Sequence, residues 1–344
     1  MASGSVVTRN GQRRVAFLTR HSWPWTRQID DGAGLHGDLA ITFAPTSNDD
    51  WLVVYDDIRE PVRTHLPASR RILFVTEPPG QKSYRTAFAN QFGVLVSPYP
   101  IPGYRGRWVP GQPAINWFYG VDFDGGKPES RIDIEGLREL PVPADKKKRI
   151  SVVCSTKARL PGHRARLSLL ERLRAQFPDS IDLFGRGFKP IGDKADCIAP
   201  YRYHLVLENS SCPHFWTEKL ADAYLGYALP IFVGCSNVVD YFPERSMVRI
   251  PNVADHDAAV RIVSEVLAKD PWEERLRDIV AARTELIERQ NVFSVIERLT
   301  GDASEVATAA PQTIWPGKQC GPVQSLLRAA KEAGERLTAL AGRS

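Results

Sequence analysis

The sequence predicts an α/β protein built from strand–helix–strand units, and three stretches carry that expectation. In residues 201–243, YRYHLVLENSSCPHFWTEKLADAYLGYALPIFVGCSNVVDYFP, the run His204–Leu207 has the length and apolarity of a buried strand. A polar loop, Glu208–His214, follows it. Thr217 then caps a helix running to about Ala228, and Pro230 opens a second apolar run, Ile231–Val233, closed by Gly234. The same order recurs upstream: a strand at Ile150–Cys154, a helix from about Arg164 to Phe177 carrying Leu167, Leu169, Leu170 and Leu173, then a strand at Ile181–Phe184 closed by Gly185-Arg186-Gly187. Finally, the strand Ile72–Val75 stops at Thr76-Glu77-Pro78-Pro79-Gly80, where two prolines and a glycine force the chain out of a sheet. Units of this kind place ligands at strand C-termini and helix N-termini.

Taken in order, residues 1–14 lack the apolar core of a secretory signal and are expected to be disordered. Arg14–Leu18 is the first strand and leads into a loop rich in Trp and Gly, His21-Ser-Trp23-Pro-Trp25, whose aromatics suit either a sugar-stacking floor or core packing. Trp51–Tyr55 is the second strand, ending in Asp56-Asp57, and Gly93–Ser97 follows the strand at Ile72–Val75. A Pro/Gly/aromatic segment from Pro98 to Gly120 precedes a hydrophilic, Pro-punctuated linker at Pro141–Arg149. After the two units already described, Met247–Ile250 is a short strand, and Asp257–Ala268, Trp272–Glu288 and Val292–Leu299 have helical periodicity. Residues 303–321 read as a loose linker, and Val323–Ala341 as an amphipathic helix. It either packs back on a domain or lies on a membrane surface or partner, for which its mixed charges argue only weakly.

Composition narrows the classes. The 344 residues suffice for two domains, divided here as 15–145 and 150–300, with 301–344 as linker and terminal helix. Hydrophobic (43%) and charged (25%) fractions are those of a globular protein, and no run approaches the roughly 18 apolar residues of a membrane span. A net charge of +5, dispersed along the chain, gives no case for nucleic acid. The five cysteines are scattered without C-x-x-C spacing, which points to free thiols and a cytoplasmic protein. The histidines show no zinc spacing. Asp122-Phe123-Asp124 has the spacing that holds a divalent cation on a diphosphate, but its place beside Gly125-Gly126 favours a turn, so no metal site is expected.

Lys219 is the residue that points to chemistry. In the first turn of a helix the macrodipole disfavours a cation by roughly 0.3–1 kcal/mol, so an ammonium there suggests a bound anion. Glu218 beside it can accept hydrogen bonds from vicinal ribose hydroxyls. The alternative is ordinary capping by Thr217-Glu218 and a solvated Lys219.

Leu207-Glu208-Asn209-Ser210, Phe215-Trp216-Thr217-Glu218-Lys219 and Pro230-Ile231-Phe232-Val233-Gly234 together resemble the donor-binding signature of the α-1,3/4-fucosyltransferases, glycosyltransferase family 10. The resemblance spans some fifty residues and fades in the N-terminal half. It implies a GT-B fold, two Rossmann-like domains facing across a cleft, with the acceptor held by the first and the donor by the second. It implies GDP-fucose as donor substrate with no cofactor, a carbohydrate or glycosylated acceptor, and inverting, metal-independent transfer. It also implies donor contacts from Asn209, Phe215, Trp216, Thr217, Glu218 and Lys219, and from an arginine at a helix start. The Leu register favours Arg166 for that arginine, while local sequence also permits Arg164. Glu77-Pro78-Pro79 looks like the family's Glu-x-Pro setting of a catalytic base, although it departs from the commoner Glu-Ser-Pro. Another nucleotide-sugar donor, or a binding module without turnover, are the competing readings.

Overall fold

In the computed structural model, which describes residues 11–301 and 309–321, short apolar runs form two parallel sheets. The first eight strands are β1 (Arg13–Thr19), β2 (Leu35–His36), β3 (Leu39–Thr42), β4 (Trp51–Tyr55), β5 (Val62–Thr64), β6 (Arg71–Phe74), β7 (Val94–Ser97) and β8 (Arg107–Pro110). All but β5 join in the order β2-β3-β1-β4-β6-β7-β8, parallel except for the β2–β3 hairpin. The central parallel strands β4, β6 and β7, and most of β1, are covered on both faces, which is why their runs are almost continuously apolar. The period of two then sorts them: Val15, Phe17, Val53, Tyr55 and Phe74 fill one core, and Ala16, Leu18, Leu52, Val54 and Leu73 the other. Helix α1 (Thr86–Ala89) contributes Phe88 and Ala89 to the second of these cores.

A small hairpin, β9 (Val121–Asp122) with β10 (Glu129–Ser130), and helix α2 (Ile134–Glu139) lead to the second sheet. Its strands are β11 (Lys147–Val153), β12 (Ile181–Phe184), β13 (Tyr201–Leu207), β14 (Leu229–Val233) and β15 (Val248–Arg249), all parallel, in the order β12-β11-β13-β14-β15. Helices α3 (Pro161–Gln176), α4 (Ala195–Ile198), α5 (Glu218–Leu225), α6 (His256–Lys269) and α7 (Trp272–Glu288) accompany it. The two sheets give the expected pair of Rossmann-like domains, a GT-B arrangement. In each, the chain leaves the first strand to one side and returns on the other: β1 lies between β3 and β4, and β11 between β12 and β13. The resulting switch points open crevices at the C-terminal ends of β1 and β4, and of β11 and β13.

The expected boundary between residues 145 and 150 does not separate the cores. Trp117, Tyr119, Ile134 and Leu137, all ahead of it, are buried in the second domain's core. Helix α8 (Val292–Thr300) returns in the other direction: Val292, Phe293 and Ile296 pack with Val15 and Phe17 of the first domain rather than completing the second. Buried Asn291 makes that turn. Its side chain caps α8 by accepting from the Phe293 N–H (3.0 Å) and donates to the Gln28 carbonyl (2.8 Å). Strand β16 (Gln312–Ile314) pairs antiparallel with β5, so this part of the expected loose linker is structured. Lys147–Arg149, assigned to the linker, already belong to β11, and Arg13 and Arg14 to β1. The rest of the expected N-terminal disorder, residues 1–10, and the terminal amphipathic helix lie outside the described residues.

Phe293→Ala tests the crossing. Phe293 is fully buried, with its ring 5.4 Å from that of Phe17. Its truncation should lower unfolding free energy by about 3–5 kcal/mol in urea titration. A loss below ~1 kcal/mol would mean that α8 is not part of the first domain's core.

Candidate active site

At the second switch point β13 ends at Leu207, and Glu208 turns back beneath α5 with its side chain fully buried. Its carboxylate accepts from the Thr217 N–H (2.8 Å), from Thr217 Oγ1 (2.8 and 2.9 Å) and from Lys219 Nζ (3.2 Å). Lys219 Nζ also meets Thr217 Oγ1 at 3.0 Å and Glu218 Oε1 at 3.4 Å. Burial opposes the ammonium, but the carboxylates of Glu208 and Glu218 more than offset it and hold Lys219 above the ordinary lysine value. Burial likewise pushes the Glu218 carboxyl up, and Lys219 and Lys194 overcome this to bring it to about 2. Lys219 is therefore not a solvated surface charge; its side chain is 21% exposed. The unfavourable dipole is met first by Glu208, an intramolecular counter-charge absent from the sequence-based expectation.

Arg166 and Asn209 meet beside it. Arg166 donates through one terminal nitrogen to Asn209 Oδ1 (2.9 Å) and through the other to the Ser155 carbonyl (3.3 Å), while its buried Nε has no partner among the described residues. Arg164 instead turns outward and donates to the Ala158 and Arg159 carbonyls. Helix α3 begins against the end of β13: a Cβ on Gly162 would stand 2.1 Å from the Asn209 carbonyl oxygen, so only glycine permits the approach. The N-termini of α3 and α5 both converge on this crevice. Next to it, a cavity of about 510 Å³ is lined by Phe118, Phe123, Arg186, Phe188 and Lys194, among others.

Two expected donor contacts are corrected. Trp216 is 1% exposed and packs edge-on against Tyr241 (5.8 Å) and Phe242 (5.0 Å), and Phe215 is equally buried. They anchor the loop as core residues, because two large apolar rings ahead of a cap lose more water-exposed area inside than in a cleft. Thr217 is buried as well, and its hydroxyl is taken up by Glu208 and Lys219.

Across from these groups is the first domain's edge. Glu77, just beyond β6, holds Gln81 with its carboxylate and Tyr99 Oη with its carbonyl (3.0 Å). Burial and the charges of Asp56 and Glu218 push its carboxyl above the usual range, while Lys219 and Lys82 pull the other way. Glu77 thus feels both Glu218 and Lys219, and the contact of Trp23 with Phe118 (5.3 Å), whose backbone N–H donates to Asp222 of α5 (2.8 Å), joins the two edges. A second group on this edge escaped the sequence reading. Buried Asp56, at the end of β4, binds His21, Thr76, Lys82 and Tyr84. Its only advance signal was an acidic pair closing a strand. Asp122 and Asp124 form a turn instead of a paired ligand: Asp122 accepts from the Asp124 N–H (2.8 Å) and from Arg131 (2.5 Å).

Residues 144–272 match the family profile described as "Glycosyltransferase family 10 (fucosyltransferase) C-term". The chain carries a family 10 glycosyltransferase domain. That family 10 segment contains Arg166, Asn209, Glu218 and Lys219. It is 27% identical over 125 residues to the human 4-galactosyl-N-acetylglucosaminide 3-alpha-L-fucosyltransferase FUT6, covering 33% of this chain and 34% of that protein. To the alpha-(1,3)-fucosyltransferase FucT of Helicobacter pylori it is 29% identical over 70 residues, 20% of this chain and 15% of the relative. The chain thus spans about a third or less of the length of these curated relatives. Among solved structures, an alpha1,3-fucosyltransferase with GDP-fucose aligns over 90% of this chain and 96% of that one, with 12% identity and a TM-score of 0.47.

The expectation of a cytoplasmic protein is withdrawn. The human relatives of the family 10 domain are Golgi-resident membrane enzymes. Four of the five cysteines are buried, so their scattered positions need no reducing compartment to account for them. Among the described residues no helix is long and apolar enough to cross a membrane.

Proposed function

We propose that this chain transfers fucose from GDP-fucose to a saccharide hydroxyl in a single inverting displacement, with a carboxylate base and neither metal nor cofactor. The observation that supports this reading is the meeting of two strand-edge crevices. One carries Arg166, Asn209, Lys219 and two helix N-termini, and Glu77 on the other feels Lys219 and Glu218. The diphosphate would lie between the N-termini of α3 and α5. There the planar fork of Arg166 and the ammonium of Lys219 oppose the charge that grows on departing GDP, favouring the transition state over the ground state. Glu218 would hold the ribose hydroxyls, Asn209 would brace Arg166 and the donor, and the aromatic-lined cavity would take the base.

Glu77 would receive the proton of the acceptor hydroxyl as its oxygen attacks the anomeric carbon from the face opposite GDP, so β-linked donor yields α-linked product. No covalent intermediate is required. Asp122 is engaged by Arg131 and its own turn, and the two cations supply the charge that a divalent ion would otherwise bring. Since human relatives are named for a 4-galactosyl- or a 3-galactosyl-N-acetylglucosaminide, a galactosyl-N-acetylglucosamine disaccharide is the acceptor we assign.

A thermal-shift panel of nucleotides in excess EDTA tests the donor. GDP and GDP-fucose should raise Tm with a concentration dependence that follows mass action. Stabilisation by a UDP- or dTDP-sugar with GDP inert would replace the donor assignment, and a shift that vanishes in EDTA would bring the metal back.

A further inference from the structure

The switch point of the first sheet lies between the ends of β1 and β4, and it holds an imidazole–carboxylate pair that the proposed chemistry leaves unused. Asp56 is 3% exposed and sits at φ 68°, in the left-handed region that a non-glycine residue rarely occupies. Its carboxylate takes His21 Nε2 at 3.0 Å, Thr76 Oγ1 at 3.2 Å, Lys82 Nζ and Tyr84 Oη. Burial works against its charge, but these bonds hold the carboxyl far below the usual range. The His21 ring is fixed on two sides, by Asp56 and by stacking on Trp23 (4.3 Å between centroids, 17° between planes), and the residue's backbone N–H is bonded to Thr19 Oγ1 at 3.1 Å. Trp23 in turn meets Phe118, which lines the donor-side cavity, at 5.3 Å. A carboxylate held ionised draws the proton of a neutral imidazole to Nε2, which leaves Nδ1 as a bare lone pair. His21 is 25% exposed, and its Nδ1 has no partner among the described residues.

We propose that His21 is an acceptor-binding residue: Nδ1 accepts a hydrogen bond from a saccharide hydroxyl, Asp56 fixes the tautomer that makes this possible, and the His21–Trp23 stack seats the sugar ring. It rests on the transferase reading for the identity of the ligand. The placement explains why a strained, buried aspartate and a partly exposed histidine stand together at the crevice facing the donor helix. It also gives the first domain a group that selects for a hydroxylated acceptor, separate from the carboxylate that takes the proton.

Two substitutions divide the imidazole's two nitrogens. The amide oxygen of Asn branches from Cγ, as Nδ1 does, whereas the longer Gln reaches the position of Nε2. His21→Asn should therefore keep a hydroxyl acceptor, and His21→Gln should keep only the bond to Asp56. With the β-methyl glycoside of galactosyl-β-1,4-N-acetylglucosamine as probe, His21→Gln should raise the acceptor KM at least ~10-fold and His21→Asn only ~2–3-fold. GDP affinity should be unchanged in both. The reverse order, Gln tolerated and Asn not, would show that His21 serves only to satisfy Asp56 and would overturn the proposal. Nitrogen-15 NMR of the wild-type protein needs no turnover. The free protein should show Nε2–H with bare Nδ1, and the Nδ1 resonance should move when millimolar disaccharide is added with GDP. A proton on Nδ1, or an Nδ1 resonance that stays fixed, would overturn it whatever the donor proves to be.

Discussion

Glu77→Gln should reduce fucose transfer at least ~10²-fold, the lower bound for losing a general base, while leaving GDP affinity unchanged in calorimetry. Glutamine keeps the shape and the neighbouring Gln81 contact but cannot take a proton. The pH profile carries independent information. The carboxyl is raised by burial and by the charges of Asp56 and Glu218, and it must be ionised to act. Transfer should therefore rise with pH through a pKa above the ordinary glutamate value, and not already be at its plateau there. Lys82→Met should move this limb further upward by removing one of the cations that oppose the shift. Full turnover in Glu77→Gln would take this residue out of the chemistry.

Lys219→Met should produce the second large effect, and on two quantities at once. Removing the ammonium leaves the buried carboxylates of Glu208 and Glu218 without their nearest cation. Breaking a buried pair in this way costs about 3–5 kcal/mol of stability, and GDP binding should fall with it. Adding Glu208→Gln to Lys219→Met separates the two consequences, because the uncompensated charge disappears while the diphosphate still lacks its partner. Urea titration of the double variant should recover most of the stability; calorimetry should find GDP binding still impaired. Recovery of both would reduce Lys219 to a structural counter-ion. The contrast matters because Glu208 gives Lys219 a reason to exist without any ligand.

Much of the fold was legible because parallel strands covered on both faces must be uniformly apolar, and residues 201–233 display that pattern with their loop and cap in order. Element identity is a local property. Partnership is not. Val292, Val295, Ile296 and Leu299 announce a helix with one apolar stripe, yet nothing in a stripe says which domain it covers; that depends on the turn made at Asn291. The same limit applies to Trp117 and Tyr119, which precede the expected linker and serve the core beyond it. In the site, Glu77 was accessible from its position at a strand end, and Arg166 only through the resemblance of its segment, which left Arg164 open. His21 and Asp56 were not, since residues 35 apart become neighbours only when β4 is laid beside β1. Trp216 misled for the opposite reason: an aromatic ring in a polar loop looks like a ligand contact until its packing against Tyr241 and Phe242 is seen.

The exchange of segments between the two sheets means that the stretch between them is not a seam at which the polypeptide could be divided. Cutting it between residues 145 and 150 would strip Val292, Phe293 and Ile296 from one fragment and Trp117, Tyr119, Ile134 and Leu137 from the other. Each half would be left with an open apolar wound where its neighbour's chain had been. A second sheet excised at that boundary would not carry the residues that close its own core.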